Sequence, residues 1–367
     1  MRTLHYLGPE GTFTHQAAMT AADLLRPLAG DDGTVALQAE PGVPAILDAV
    51  QSGGDWGVIA WENNIEGYVV PNLDALIDAR DTAGFARVGV DVSFDAFVRP
   101  AADDADAAAT ASDAPTDDVV PPAVAERLIA RCATVTAHPH GLAQCRRFAA
   151  AHGLTEKPAS SNGAACRDLE PGQVALGPRI CGELYGLTRV ARAVEDYPGA
   201  HTEFLVLAPR GEVAAMTAAL SHAGTGESGA PDTPAEPAEY ESIVAFILLD
   251  TGPGVLANLL DVLRDAGLNM TSFISRPVKG HDGTYSFIAT FDAAPWQPHF
   301  RAALEQVVQG GDWVKTLAVY PRRERPNPPV DAWMLPEGGV LAARGDGADD
   351  TDAGWAESET TRKELLW

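Results

Sequence analysis

Short apolar runs alternate with stretches of helical spacing along the first two hundred residues of the chain. Residues 3–7 (TLHYL) and 57–61 (GVIAW) read as short buried strands, and 87–98 (RVGVDVSFDAFV) alternates as one longer strand does. Residues 173–177 (QVALG) and 204–208 (FLVLA) add two more. Helical spacing predicts helices over 14–29, 43–52, 141–152 and 163–169. Strands that alternate with helices predict an α/β domain with a largely parallel sheet. Further on the order changes. A strand at 243–250, a helix at 254–266, strands at 270–278 and 284–291, a helix near 296–308 and a strand near 313–319 give the βαββαβ order of a ferredoxin-like unit.

Two stretches interrupt this pattern. Residues 101–118 (AADDADAAATASDAPTDD) and 221–239 (SHAGTGESGAPDTPAEPAE) hold almost no large apolar side chains. Such sequences bury too little surface to offset the entropy of ordering. The first predicts a loop insertion within a domain, the second an interdomain linker. The expected organisation is a first domain over 1–210, a linker over 211–240, a second domain over 241–322 and a mostly disordered tail over 323–367. In the tail, Trp333, Met334, Leu335 and the final LLW are the possible docking points.

Composition narrows the function. Of the 367 residues 46% are hydrophobic, enough for ordinary cores, yet no apolar run approaches the roughly 20 residues that span a bilayer. The start, MRTLHYLGPEGTF, lacks the apolar stretch of a signal peptide, so the expected location is the cytoplasm. Cys132, Cys145, Cys166 and Cys181 form no CxxC pair, and the nine histidines form no HExxH, so no metal site is predicted. A formal net charge of −25 argues against nucleic acid or an anionic membrane as partner. It leaves a small anionic substrate open, because helix N-termini and local charges set a pocket's potential.

Five motifs carry candidate chemistry. Gly8-Pro9-Glu10-Gly11-Thr12-Phe13-Thr14 follows a strand and opens a helix, so its amides and hydroxyls suit a carboxylate. It is not GxGxxG, and taken singly it is also an ordinary strand-to-helix turn. Trp61-Glu62-Asn63-Asn64-Ile65-Glu66-Gly67 lies just past a strand end, where ligands of open α/β sheets bind. There Glu62 offers a proton-transfer group, and Asn63 and Asn64 offer amide donors. Ala137-His138-Pro139-His140-Gly141 follows a further strand end, and its histidines at i, i+2 do not share a helical face. Ser160-Ser161-Asn162-Gly163 is a hydroxyl-rich helix start, and His201-Thr202-Glu203-Phe204 runs into the strand FLVLA.

In this order YLGPEGTFTHQAA, WENNIEGYVVP, AHPHGLAQC, SSNGAAC and HTEFLVL closely resemble the successive motifs of prephenate dehydratases, over about residues 3–208. The segment TGPGVLANLLDVLRDAGLNMTSFISRPVKG resembles an ACT domain, an amino-acid-sensing module. The resemblance implies a two-lobed catalytic domain like a periplasmic binding protein, with its site in the cleft. It implies conversion of prephenate to phenylpyruvate with joint loss of water and carbon dioxide, and no metal or organic cofactor. The family's essential threonine falls on Thr202, placed to hydrogen-bond the leaving hydroxyl. Phe204 is expected to pack near the substrate ring. Thr12, Asn63, Asn64, Ser160 and Ser161 are expected to hold carboxylates. Gly254, Val255 and Leu256, with Ser275, Arg276 and Pro277, match the segment that senses L-phenylalanine, between two subunits of a homodimer or homotetramer.

Three departures stand out. The family usually has arginine where Glu203 stands, asparagine at Ala200 and serine at Asn64. An acid in place of that arginine changes the local charge by two. Either the side chain points away from the site or a neighbour compensates it, with Arg146, Arg147, Arg189 and Arg192 as candidates. Two other readings remain. An arogenate dehydratase would pair Glu203 with the substrate ammonium, and a ligand-binding regulator would have a decayed site.

Overall fold

The computed structural model describes residues 2–30, 33–99, 119–223, 239–322, 339–340 and 359–366. The chain forms two compact units, Met1–Arg323 and Glu324–Trp367. The expected insertion at 101–118 lies outside the described residues, as does most of the 323–367 tail, whose described part is chiefly a helix over Glu359–Leu365.

The first lobe is built in chain order from β1 (Arg2–Leu7), α1 (Phe13–Leu25), β2 (Val35–Glu40), α2 (Val43–Gly53), β3 (Trp56–Asn63), β4 (Gly67–Tyr68), α3 (Val70–Asp78) and β5 (Thr82–Asp91). The chain then enters a second lobe of β6 (Asp95–Val98), α4 (Pro122–Ile129), β7 (Thr134–Ala137), α5 (Pro139–Gln144), α6 (Arg146–Ala151), β8 (Thr155–Pro158), α7 (Asn162–Arg167), β9 (Gln173–Gly177), α8 (Ile180–Tyr185) and β10 (Thr188–Ala191). It returns to the first lobe as β11 (His201–Pro209) and α9 (Val213–Ala223). The βαββαβ module follows as β12 (Tyr240–Ile247), α10 (Val255–Asp265), β13 (Met270–Pro277), β14 (Tyr285–Phe291), α11 (Pro298–Gln309) and β15 (Trp313–Pro321).

The architecture is the α/β, two-lobed one that the resemblance implied, with three corrections of detail. First, 87–98 is not one strand. β5 and β6 belong to different sheets, and Val92–Phe94 between them is one of two crossings between the lobes. The alternation runs on because Val92 and Phe94 are buried, but their hydrogen bonds go to the returning segment: Val92 N–H donates to Ala200 O at 2.7 Å and Phe94 O accepts from Val194 N–H at 2.8 Å. Second, the sheets are mixed. β1 pairs in parallel with β2 and β3, but the returning β11 is antiparallel to β3 and β5, and β6 is antiparallel to β9 and β10. Third, the segment expected as linker over 211–240 begins as helix α9. Val213 and Leu220 of that helix join the first-lobe core, and the Thr217 hydroxyl, fully buried, donates to Val319 O of β15 at 3.0 Å.

The module does not hang from a tether. Its sheet order is β13-β14-β12-β15, and β15 continues in parallel onto β5 through Ala318 opposite Gly84. A Cβ on Gly84 would sit 2.7 Å from Ala318 Cβ, so glycine is what permits the approach. Leu205 and Leu207 of β11 share one core with Ile243 of β12 and Leu317 of β15. The opposite face of the first-lobe sheet packs Tyr6, Val58, Phe85 and Phe204 against Ala17, Ala18 and Ala21 of α1. Burying each large side chain of this kind contributes about 1.5–3 kcal/mol, enough to hold the strands in register.

Candidate active site

The five motifs, far apart in sequence, meet where the two lobes face each other. The turn after β1 needs Gly11 in the left-handed region at φ +77, and a Cβ there would lie 2.9 Å from Tyr185 of α8. Tyr185 donates its hydroxyl to Glu10 O at 2.7 Å, and the Cys181 thiol lies 3.1 Å from Gly11 O. A Cβ on Gly163 would be 2.5 Å from Glu10 O, so the first and fourth motifs touch backbone to backbone. Asn162 Oδ1 accepts from His138 N–H at 2.9 Å, which ties the fourth to the third. Glu66 reaches Gln144 Nε2 at 3.4 Å and His140 Nδ1 at 3.5 Å, tying the second to the third.

Thr202 stands at the start of β11 and is 9% exposed. Its oxygen accepts from Asn63 Nδ2 at 3.0 Å. The amide orientation is fixed, because Asn63 Oδ1 accepts from both Ile65 N–H (2.9 Å) and Glu66 N–H (3.0 Å). Thr202 Oγ1 is therefore an acceptor toward Asn63, and its own proton is left to donate elsewhere. A bulge produces this pairing. Phe204 lies opposite Ala60, yet Glu203 lies opposite Glu62 and Thr202 opposite Asn63, so β3 has one extra residue at Trp61. The extra residue reverses the alternation and turns Asn63 onto the face of Thr202.

The same geometry corrects several expectations. Phe204 shares the face of Thr202 but lies one pleat deeper, 1% exposed in the core of the first lobe, where it supports the strand. Glu62 is turned to the opposite face, where burial first and then Glu203 push its carboxyl up and Arg87 partly offsets them. Asn64 spends its amide on Gly199 O (2.9 Å) and His201 N–H (2.8 Å), closing the loop onto β11. Thr12 caps α1 by accepting from His15 N–H at 3.1 Å and donates to Pro9 O at 3.0 Å. Ser161 caps α7 by accepting from Ala164 N–H at 2.9 Å, with Ser160 exposed beside it. At Thr12 the hydroxyl proton is thus spent on Pro9 O and the groups left for an anion are backbone amides of the helix start, whereas Ser161, which only accepts, keeps its proton to donate.

Glu203 lies on the face of β11 opposite Thr202. Its partners are Arg87 Nε at 3.3 Å and His201 Nε2 at 3.0 Å. Compensation thus comes from Arg87, not from the four arginines expected; Arg189 is taken by Asp95 at 2.9 Å and Arg147 by Asp196 at 3.3 Å. Burial works to lower the pKa of His201, but its bonds to Asp91 and Glu203 outweigh burial and raise it. Sequence reasoning missed His15, which burial holds below its usual pKa. Its Nδ1 accepts from Gly11 N–H at 3.1 Å, so a neutral ring stiffens the turn.

In the module, Gly254 starts α10 at φ +88 with open space where a Cβ would be, and Val255 and Leu256 pack partly on the module core. Ser275, Arg276 and Pro277 end β13. Arg276 binds both carboxylate oxygens of Asp74 on α3, at 3.3 and 3.2 Å. Among the described residues no group of three or more His, Cys, Asp or Glu is placed to hold a metal. Nor does any helix among them have the length and apolarity to cross a membrane.

A bilobal α/β fold, with a buried hydroxyl oriented by an amide where the lobes meet and a βαββαβ module on its sheet edge, defines a two-lobed α/β enzyme with an attached ferredoxin-like module. The family model for prephenate dehydratase matches residues 4–212. A prephenate dehydratase from Mycolicibacterium gilvum is 29% identical over 347 residues, 91% of this chain and 97% of that protein. One from Mycobacterium leprae is 32% identical over 289 residues, 77% of this chain and 75% of that protein. A solved prephenate dehydratase from Arthrobacter aurescens, in complex with L-Phe, shares the fold at a TM-score of 0.60, with 22% identity over 87% of this chain and 90% of that one. The chain belongs to the prephenate dehydratase family of carbon–oxygen lyases.

Proposed function

We propose that this chain dehydrates and decarboxylates prephenate to phenylpyruvate, with Thr202 as the catalytic residue. The observation that carries the reading is the oriented pair Asn63–Thr202. In prephenate the bond from the ring to its carboxylate breaks, its electron pair enters the ring, and the hydroxyl across the ring leaves as water. That hydroxyl must receive a proton as it departs. A threonine is too weak an acid to surrender its proton outright. By accepting from Asn63 it becomes a better donor, and a hydrogen bond to the leaving oxygen stabilises the charge that develops there. The substrate's two carboxylates find donors in the backbone amides at the starts of α1 and α7, with the α1 dipole favouring an anion. Glu203 faces away from this pair, so nothing at the pair offers an arogenate ammonium that carboxylate.

We further propose feedback by L-phenylalanine through residues 241–322. The Phe-bound relative from Arthrobacter supports this reading. So does the turn at Gly252–Gly254, whose glycines at φ +132 and +88 leave the amides at the start of α10 approachable beside the apolar Val255 and Leu256. Those residues and Ser275–Pro277 lie on different elements, which favours a site completed by a second copy of the chain.

The test is turnover of the purified full chain on prephenate and on arogenate, with and without L-phenylalanine, and with Thr202→Val as control. Phenylpyruvate from prephenate, lost in the variant by about 10²-fold or more, is the expected result. Turnover of arogenate alone, or of neither substrate, overturns it. Calorimetry that finds no phenylalanine binding overturns the feedback reading by itself.

A further inference from the structure

Several polar contacts join the module to the first lobe, and one group of them ends on α3 or just past it. Arg276 holds Asp74, Lys279 holds Asp78 at 2.8 Å, and Lys315 Nζ donates to Ile77 O and Ala79 O. Others go elsewhere. Thr217 of α9 and Arg210 just before that helix donate to Val319 O and Thr316 O of β15 at 3.0 and 2.7 Å. Tyr68 of β4, paired with β3 beside Glu62 and Asn63, meets Ser272 of β13 with 2.5 Å between hydroxyl oxygens. Arg87 of β5 stands between Glu203 of β11 (3.3 Å) and Glu241 of β12 (3.5 Å). Tyr320 of β15 completes this contact: the Arg87 guanidinium lies 5.4 Å from its ring centre, and its hydroxyl donates to Glu241 at 2.7 Å.

We propose that Arg87 is a positioning residue for the dehydration: through Glu203 it holds the end of β11 that carries Thr202, and it takes its second anchor, Glu241, from the module. The proposal rests on the reading of Thr202 given above. Beyond the bulge at Trp61, the ladder between β3 and β11 consists of two pairs only, Glu203 with Glu62 and Thr202 with Asn63. On its other side this end of β11 is paired with β5 throughout, His201 with Asp91, Thr202 with Val90 and Glu203 with Gly89, so the side-chain anchors act on how the two pairs with β3 lie against that ladder. Glu203 is the residue next to Thr202, and its carboxylate is fixed on one oxygen by Arg87 and on the other by His201. Three carboxylates, Glu62, Glu203 and Glu241, gather around the one guanidinium. Without it the carboxylates repel one another across β5 and β15, the two strands between β11 and β12, which pair only at Ala318 and Gly84. Arg87 and Glu203 are 24% and 21% exposed and Glu241 13%, so water screens this only in part. Docking alone needs no cation here, because the α3 contacts and the shared core already seat the module.

The experiment uses the full chain with Arg87→Met, Arg87→Lys, Glu203→Gln, Glu241→Gln and the double variant Arg87→Met/Glu203→Gln. Steady-state kcat and KM for prephenate are measured beside thermal melting. The expected result is a fall in kcat of about tenfold for Arg87→Met with KM within about twofold, the pattern of a displaced group that acts in the transition state. Arg87→Lys should recover much of it, and the double variant should be no worse than Arg87→Met alone. Glu241→Gln, which keeps the bond from Tyr320 but loses the charge, should lower kcat about threefold although it lies outside the catalytic lobes. Wild-type kcat in both Arg87→Met and Glu241→Gln overturns the proposal, as does full additivity of Arg87→Met and Glu203→Gln. If Arg87→Met does not fold, Glu203→Gln and Glu241→Gln decide by the same kcat criterion. Failure of Thr202→Val to lower kcat would instead sink the reading of Thr202, a separate outcome.

Discussion

Asn63→Asp is an isosteric change that reverses one hydrogen bond. In the native protein Asn63 Oδ1 accepts two backbone N–H groups at 2.9 and 3.0 Å while Nδ2 donates to Thr202 Oγ1 at 3.0 Å. An aspartate keeps both acceptor bonds, so the turn at residues 63–66 survives. The oxygen that replaces Nδ2, however, can only accept. Thr202 must then donate to it, and the proton available to the leaving hydroxyl is spent inside the protein. The two backbone donors hold the new carboxyl below its ordinary value of about 3.9, so it stays ionised throughout the working range and its charge also opposes a dianionic substrate. Loss of a general-acid-type contact is worth about 10²-fold in rate, or about 2.7 kcal/mol of barrier. Stability should change by no more than about 0.5 kcal/mol, as expected when no buried partner is lost. Single-turnover formation of phenylpyruvate, run beside thermal melts, reads both quantities. Thr202→Val should match Asn63→Asp, and the double variant should be little worse than either, because both remove one unit. A rate for Asn63→Asp within about threefold of wild type at unchanged stability would falsify the oriented-hydroxyl account.

Two further outcomes follow from the geometry. Gly84→Val places its Cβ about where Ala318 Cβ lies 2.7 Å away, so β15 must move off β5; a loss of about 1–3 kcal/mol should appear in calorimetry as a lower melting temperature, and an unchanged melt would mean that the two sheets are not joined there. Glu203→Arg, which restores the residue usual in the family, sets a second cation beside Arg87 on the face away from Thr202; it should cost about 1–3 kcal/mol of stability and leave KM for prephenate within about twofold, whereas a large fall in KM would put this side chain in the substrate site.

The pattern of the chain carried the fold a long way because both signals used were local. Strands such as β3 and β11 are apolar on both faces, being covered by α1 on one side and by α2, α3 and the module on the other, and they read as continuous runs. The βαββαβ order needed only the sequence of periods. What stayed illegible depends on pairing. The alternation of 87–98 continues across a change of sheet, since a buried crossing and a strand impose the same burial on Val92 and Phe94. Residues 213–223 (VAAMTAALSHA) are small and weakly patterned, and their helix is stabilised by what lies under it, β5 and β15, which no window of sequence contains.

The site divides along the same line. Thr202, Asn63 and the two glycine turns were identifiable as types in a motif, but the roles of their neighbours were not, because roles here are set by which face a side chain takes. One extra residue in β3 decides that Asn63 meets Thr202 and that Glu62 does not. Without the bulge the face of Thr202 would present a carboxylate, and the hydroxyl would be turned inward as it is in Asn63→Asp. The same alternation places Glu203 beside Arg87 and Glu241, so the acid that looked like an intruder in the substrate site belongs to the seam between the catalytic lobe and the module. A charge change at 203 therefore acts first on that seam and reaches Thr202 only through the strand that both residues share.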